Sequence, residues 1–401
     1  MKAVELLVGA GGLALGLEKA GFSHAALLDR DPRACETLRR NARRYAKMAG
    51  GRILQRDLRE FDMSELAEED LDLLAAGTPC QPFSLAGKHT GHHDDRNLFP
   101  EVFRTIRSIR PKAVLIENVR GILRPSFRPY VDYVRDQLQI PSDQRRADET
   151  WLEHAGRVRR RLSLAKQGDV EYSVATWSLD AADYGTPQRR ARVFFVAVRR
   201  DVGSPPEPPV ASHSPEALAY DQWVTGEYWE KHGLPQPPTP EGLSAQLSDL
   251  AQTFRPTLGA AWRTVRDAFV GLADPPPQSP VSGMPTHHIY RAGARPYPGH
   301  TGSDIDQPAK AIKAGTHGVP GGENMLRYPQ GTVRYFTVRE AARLQEFPDE
   351  FEFTGSWTDC IRQIGNAAPV GLSTVIGRQI ARVLNAASRR QTELTLPVPP
   401  G

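Results

Sequence analysis

The order of elements predicts an α/β protein, a mainly parallel sheet with helices on both faces, joined to a smaller loop-rich module. Three observations lead there. Short apolar runs alternate with helical patterns through the first 200 residues, the signature of βαβ units. The first run passes straight into Gly9, Gly11 and Gly12, a strand–turn–helix start of the nucleotide-binding kind. The texture then changes after Arg200. Seventeen of the 34 prolines fall between 201 and 300, a density that a parallel sheet cannot absorb.

The elements follow in order. Ala3–Val8 reads as a buried strand, and Leu13–Ala20 as a helix that Gly21 stops. Ala25–Leu28 is a second strand. Pro32 to about Tyr45 is a helix, with Asp31 placed to cap it. Arg52–Gln55, Leu71–Ala76, Ala113–Glu117 and Val193–Val198 are further strands. Arg157–Lys166 is basic and reads first as a solvated helix face, second as a phosphate-contacting strip. Regularity returns at Thr337–Gln345. A last helix, about Val370–Ala387, aligns Leu372, Val375, Ile376, Ile380 and Val383 on one side. The tail Leu394–Gly401 reads as disordered. The chain thus divides into 1–200, a module at 201–333, a late helix and hinge at 334–360, a helix at 361–390 and a tail at 391–401.

At 39% hydrophobic and 24% charged residues, the composition is that of a globular protein in water. The net charge of +4 permits an anionic partner. Three cysteines give no disulfide framework and suit a reducing, cytoplasmic setting. Glu5 and the early glycines argue against an N-terminal leader. No apolar run approaches the roughly 20 residues that span a bilayer, so no membrane partner is expected.

Cys80 follows the strand Leu71–Ala76 and is flanked by Pro79 and Pro82, which bar a helix through the thiol. Ligands of open α/β sheets gather at strand carboxyl ends. Cys80 is therefore either a nucleophile or a small buried hydrophobe in a turn. Glu117 ends the apolar run Val114-Leu115-Ile116, where a carboxylate is costly to bury unless it acts as an acid or forms a structural ion pair. Arg190 and Arg192 alternate at a strand start and so share a face, either to meet an anion or as solvated edge residues. Asp29 follows the second strand, where an acid commonly receives ribose hydroxyls. His89, His92, His93 and Asp94 complete no metal site, and no metal is expected.

Taken together, the motifs resemble those of the C5-cytosine DNA methyltransferases of bacterial restriction–modification systems. Pro79-Cys80-Gln81 resembles the family's catalytic loop. Leu7-Val8-Gly9-Ala10-Gly11-Gly12 is similar to its cofactor loop, Glu117-Asn118-Val119 to its acid motif, and Gln188-Arg189-Arg190-Ala191-Arg192 to its arginine motif. Arg339–Gln345 with Phe347-Pro348-Asp349 resembles its late helix, and Gln363–Pro369 its closing motif. They occur in the family's order, and six in order are specific.

The resemblance implies a Rossmann-like S-adenosylmethionine-dependent methyltransferase fold and a methyl transfer to C5 of a cytosine in a specific duplex DNA sequence. That carbon lies inside the base stack, so the base must be flipped out. The resemblance makes Cys80 the nucleophile that adds to C6, Glu117 the acid at N3 and Asn118 the residue holding the loop. Arg192 would touch the cytosine carbonyl or Glu117, and Arg190 a backbone phosphate. It assigns the cofactor to Leu7, Gly9, Gly11, Gly12, Leu13, Asp29, Asp57, Leu58, Pro79, Asn366 and Ala368. Two positions depart from the family pattern. Leu7 stands where an aromatic is usual, and Asp29 where glutamate is usual. Ser84–Asn97 resembles the loop that closes over substrate, and 201–333 would read the DNA sequence. Implied partners are double-stranded DNA and a cognate endonuclease acting on the same site, with the protein as a monomer. The rivals are an RNA (tRNA) cytosine methyltransferase, a catalytically silent DNA-binding relative, and a dinucleotide oxidoreductase that would own only the glycine motif.

Overall fold

The computed structural model describes residues 1–45, 52–66, 70–79, 97–166, 170–253, 255–276, 286–314 and 324–395. Cys80, the histidines at 89, 92 and 93, most of the 84–97 loop and the end of the tail lie outside the described residues.

The chain forms two compact units: Met1–Leu179 with Ala191–Pro209 and Ser373–Gly401, and Asp180–Arg190 with Val210–Leu372. The first holds a seven-stranded sheet. Its strands are β1 (Lys2–Leu6), β2 (Ser23–Asp29), β3 (Arg52–Gln55), β4 (Leu73–Gly77), β5 (Ala113–Val119), β6 (Tyr172–Asp180) and β7 (Ala191–Arg199). They lie in the order β3-β2-β1-β4-β5-β7-β6. The pairs among β1 to β5 are parallel, and β7 runs antiparallel to β5. The chain winds outward from β1 to β3, then returns to lay β4 on β1's other side. The topological switch point is therefore between β1 and β4, and the loops that leave there are the glycine turn and the approach to Cys80.

Helices α1 (Gly12–Lys19), α2 (Pro32–Asn41), α3 (Phe99–Ile109), α4 (Arg128–Gln139) and α5 (Trp151–Leu164) connect or flank the strands. Val4, Leu6, Leu74, Ala76, Val114, Ile116 and Phe195 share one apolar core with Phe99, Val102, Ile106, Tyr130 and Val134 of α3 and α4. Residues of the other parity, Ala3, Leu27, Leu73, Ala75 and Leu115, are equally buried, so the strands are covered on both faces.

Strand β1 ends two residues before the predicted Val8, because Leu7 adopts a left-handed φ of 58°. Helix α2 stops at Asn41 rather than Tyr45, and Asp31 caps it by accepting from the Arg33 and Ala34 backbone N–H groups. The basic run on α5 is a solvated face, as expected, with Arg159, Arg160 and Arg161 exposed, and ion pairs tie it to the neighbouring acids. Arg157 pairs with Glu149 at 2.8 Å and also with Asp143, Arg161 reaches Asp143 at 3.2 Å, and Arg159 meets Asp136 at 3.4 Å.

The second unit contains short strands in two small sheets, β8 (His213–Ser214) with β9 (Ala260–Ala261), and β10 (Ser303–Asp304) with β11 (Met325–Arg327) and β12 (Val333–Tyr335). It also carries α6 (Val338–Leu344) and α7 (Trp357–Asn366). The last helix, α8 (Val370–Thr395), starts in this unit and continues into the first. There it packs on α1 closely enough that a Cβ at Gly377 would lie 2.7 Å from that of Ala20.

Candidate active site

Three strand ends meet at Glu117. It stands opposite Gly77 of β4 and Phe194 of β7, and it is 8% exposed. The missing side chain at Gly77 matters here. A Cβ would lie 3.4 Å from the Leu7 carbonyl oxygen and 4.0 Å from Glu117 Oε2, so glycine keeps the space between the two loops open. Arg192, opposite Val119 on β7, brings its Nε within 2.6 Å of Glu117 Oε1. The Nε–H does not point along that contact, so the pair is ionic rather than an aligned hydrogen bond. The Arg192 Nη1 donates to its neighbour's carbonyl, Ala191 O, at 2.9 Å. A carboxylate this buried needs its cation. Removing one partner of such a pair typically costs about 3–5 kcal/mol.

Asn118 fixes the next strand end. Its Nδ2 donates to Thr78 Oγ1 at 2.8 Å, and its Oδ1 accepts from the Val119 N–H at 2.8 Å. Thr78 in turn donates from Oγ1 to Glu117 O at 3.0 Å and from its backbone N–H at 3.2 Å. The chain is thus clamped to β5 two residues ahead of Cys80. Asn118 was expected to hold the loop; its partner Thr78 is what the sequence reading missed. Its signal is a threonine two residues before the cysteine together with an asparagine after the glutamate. The other two cysteines are buried away from any opening. Burial pushes the Cys35 thiol to about 11 and the Cys360 thiol to about 12.

Across the switch point, Leu7, Gly9 and Gly11 all have positive φ, at 58°, 56° and 89°. Two of these are glycines because the turn demands that conformation. Asp29 locks the turn: its Oδ2 accepts from the Gly9 N–H at 2.7 Å and its Oδ1 from the Asp31 N–H at 2.8 Å. Burial pushes its carboxyl above the ordinary range, against the pull of those two N–H groups. Each oxygen keeps a lone pair for a further donor. Helix α1 begins at Gly12 with Gly11 as its cap and no side-chain acceptor, which leaves first-turn N–H groups facing the turn. Asp57 is held low by the Arg59 backbone N–H and lies 3.4 Å from Arg30 and 3.3 Å from Arg59. Leu13 and Leu58 are buried at 4% and 1% exposure, so neither side chain lines the opening.

A family model described as C-5 cytosine-specific DNA methylase matches residues 1–139 and 160–382. The chain belongs to the C-5 cytosine-specific DNA methylase family. The Type II methyltransferase M.NgoMIV of Neisseria gonorrhoeae is 32% identical over 392 residues, covering 95% of this chain and 97% of that protein. The Type II methyltransferase M.Eco47II of Escherichia coli is 30% identical, covering 96% and 80%. Among solved structures, the S. pombe Dnmt2 methyltransferase superposes with a TM-score of 0.53 at 17% identity, over 96% of this chain and 98% of that one. The Entamoeba histolytica methyltransferase EhMeth does so with a TM-score of 0.54 at 13% identity, over 95% and 98%. These two carry the Rossmann-like fold. The enzyme is a DNA cytosine-5 methyltransferase that uses S-adenosylmethionine.

The methyltransferase's arginine motif divides its labour differently from the sequence expectation. Strand β7 starts at Ala191, so Arg190 precedes it. Arg190 is 2% exposed, and its guanidinium donates to Ile312 O at 2.9 Å, Gly365 O at 2.5 Å and Ala367 O at 3.0 Å. It is a buried strut of the second unit and presents nothing to a phosphate. The same three elements explain the closing motif. A Cβ at Gly365 would lie 2.5 Å from the Ala314 nitrogen, so only glycine fits there. Gln345 Nε2 ties in the same stretch through Ile364 O at 2.8 Å and Ala367 O at 3.1 Å.

The late helix motif is structural as well. Arg339, fully buried, donates to the carbonyls of Thr286, Pro348 and Phe351 at 3.1, 2.8 and 2.7 Å. Glu340 accepts both arms of Arg334 at 2.6 and 2.7 Å while closing the capping box with Thr337. Asn366, exposed, and Ala368, 7% exposed, sit at and just beyond the end of α7 in the second unit. Among the described residues no group of His, Cys, Asp or Glu could hold a metal, and no helix is long and apolar enough to cross a membrane.

Proposed function

We propose that Cys80 is the nucleophile of this methyltransferase and that Glu117, Arg192 and Asn118 form the cytosine end of its pocket. The observation that carries the reading is the Glu117–Arg192 contact at 2.6 Å beside the Asn118–Thr78 clamp, which delivers the chain to Cys80. The two other thiols are too buried and too weakly acidic to serve.

The chemistry follows from these groups. Cytosine C5 is a poor nucleophile until a thiolate adds at C6 and turns C5 into an enamine-like carbon. Electron density then moves toward N3, where a proton held by Glu117 completes the addition. Arg192 orients the carboxyl group and offers its remaining N–H groups to the ring carbonyl. After methyl transfer a water molecule takes the C5 proton, the thiolate leaves C6 and N3 returns its proton to Glu117, which restores the aromatic ring. S-adenosylmethionine supplies the electrophilic methyl group. The turn fits it: Gly9 and Gly11 give the backbone close approach, Asp29 keeps lone pairs for ribose hydroxyls, and Asp57 and Pro79 would add contacts from the neighbouring strand ends of the same unit. Leu13 and Leu58 support that turn from the core rather than touching the cofactor.

The 201–333 module reads the target sequence, and the late helix and closing motif hold it together. Relatives named Type II methyltransferases support a restriction–modification role, in which methylation shields a site from an endonuclease of the same specificity. The protein acts as a cytoplasmic monomer. The test is tritium transfer from labelled S-adenosylmethionine to duplex DNA and, in parallel, to tRNA. Glu117→Gln should slow transfer to DNA by roughly 10²–10⁴ while cofactor affinity holds. A defect mainly in cofactor binding, or label entering only RNA, would overturn the assignment.

A further inference from the structure

Helices α3, α4 and α5 leave between them, inside the first unit, a cavity of about 490 Å³, ample for a small ligand. Its lining combines aromatic walls with cations. Tyr133 lies against Trp151 with ring centroids 5.8 Å apart, and Tyr130 meets the same indole edge-on at 5.2 Å. These walls are fixed in place. Asn97 Nδ2 donates to Tyr130 Oη at 2.5 Å. Tyr133 Oη lies 2.9 Å from His154 Nδ1, and His154 Nε2 lies 3.1 Å from Asp143 O. A carbonyl only accepts, so Nε2 carries the proton and Tyr133 donates to Nδ1. Burial lowers the His154 pKa, the direction that favours the neutral ring of this arrangement.

The cations differ in how they are used. Arg104 is fully engaged, with Glu101 at 2.7 Å and the carbonyls of Leu58 and Phe61 at 2.6 and 3.1 Å. Arg107 is half-buried and makes, among the described residues, a single hydrogen bond, to Pro141 O at 3.3 Å. Arg145 is exposed and bonds Glu149 O at 2.7 Å. Neither Arg107 nor Arg145 has a carboxylate partner among the described residues. Burial and the nearby Arg104 charge press the Arg107 guanidinium below its ordinary range, against a weaker opposing pull from Tyr133 and the Glu101 carboxylate.

We propose that this cavity binds one nucleotide unit, its base against Tyr133 and Trp151 and its phosphate on Arg107 and Arg145. Arginine's forked donors match phosphate oxygens, and a base stacks on aromatic side chains whatever its identity. A free nucleoside monophosphate and a nucleotide of the DNA strand outside the target site share this chemistry.

The test uses the full chain saturated with S-adenosylhomocysteine, so that the cofactor turn is filled. Titration calorimetry with dAMP should show binding, with deoxyadenosine and inorganic phosphate each weaker by roughly tenfold or more. Arg107→Gln and Arg145→Gln should each weaken dAMP by a similar factor, and Arg107→Lys by less. Should Arg107→Gln fail to fold, the exposed Arg145 carries the test alone. A second arm compares the wild type with Arg145→Gln on target duplexes with short and long flanks. A loss confined to dAMP identifies a free nucleotide as the ligand. A loss that also appears on long-flank DNA identifies the strand itself. The proposal is overturned if dAMP fails to bind at millimolar concentration while Arg145→Gln leaves long-flank affinity unchanged. Binding that survives both arginine substitutions overturns it equally.

Discussion

Arg190→Met separates a structural arginine from a phosphate-contacting one. The substitution removes the donors to Ile312 O, Gly365 O and Ala367 O from a residue that is 2% exposed. Hydrogen bonds to charged groups are worth about 1.5–3 kcal/mol each, but the losses do not simply add. Ala367 O retains a second donor in Gln345 Nε2 at 3.1 Å. The expected destabilisation is therefore about 3–5 kcal/mol, since each buried carbonyl left without a donor costs about 1–3 kcal/mol. With a urea m-value of about 3 kcal/mol/M, the unfolding midpoint should fall by roughly 1–2 M. Arg190→Lys should recover little, since an ammonium group cannot span three carbonyls. DNA affinity measured on folded protein across a salt series should keep its slope, because no phosphate contact is lost. The reasoning is refuted if the midpoint stays put while the salt slope falls by about one unit, the signature of a lost phosphate contact.

Gly365→Ala would drive a Cβ to 2.5 Å from the Ala314 nitrogen and 2.7 Å from the Lys313 carbonyl carbon. Backbone must move, so a loss of about 1–3 kcal/mol in urea unfolding is expected, and an unchanged midpoint would contradict the packing. The α5 anchor makes an acid-stability prediction. Glu149 is held down at about 2, chiefly by Arg157, and Asp143 also lies below its ordinary value. Lowered carboxylates stabilise the fold above the unfolded value of 4.5 for Glu149, and that contribution fades as pH falls toward about 2. Circular dichroism of Arg157→Gln should therefore depend less on pH across this window than the wild type, and parallel curves would sink the assignment. If the base is flipped, a mispair at the target cytosine lowers the extrusion cost, and a saving of about 1.4 kcal/mol gives tenfold tighter binding. Equal affinity for matched and target-mispaired duplexes at fixed salt would count against a flipped complex.

The sheet and its chemistry were legible because each depends on local pattern. The glycine turn, Asp29 and Glu117 stand where short apolar runs end, Arg192 stands where the antiparallel β7 begins, and the sheet gathers these positions at one edge. Helices α3 and α4 went unread although their buried faces, from Phe99 to Val134, build much of the core. Each starts beside a proline, at 100 and 129, which reads from sequence as a break but here occupies the first turn. Arg190 was misread for a different reason. Alternation puts it on the face of Arg192 only if the strand has begun, and β7 begins one residue later. Its acceptors lie more than 120 residues downstream, beyond any local signal. The late helix motif carried no indication that Arg339 and Glu340 would be buried struts rather than surface charges.

Covalent trapping addresses the central claim most directly. Duplex DNA carrying 5-fluorocytosine at the target position should hold the enzyme after methyl transfer, because fluorine cannot leave as a proton would. Intact mass and peptide mapping should place one DNA adduct on Cys80 in the wild type and in a Cys35→Ser, Cys360→Ser double variant. No adduct should form with Cys80→Ser, since a hydroxyl is a far weaker nucleophile at neutral pH. An adduct on another residue, or methylation by Cys80→Ser at the wild-type rate, would contradict the account.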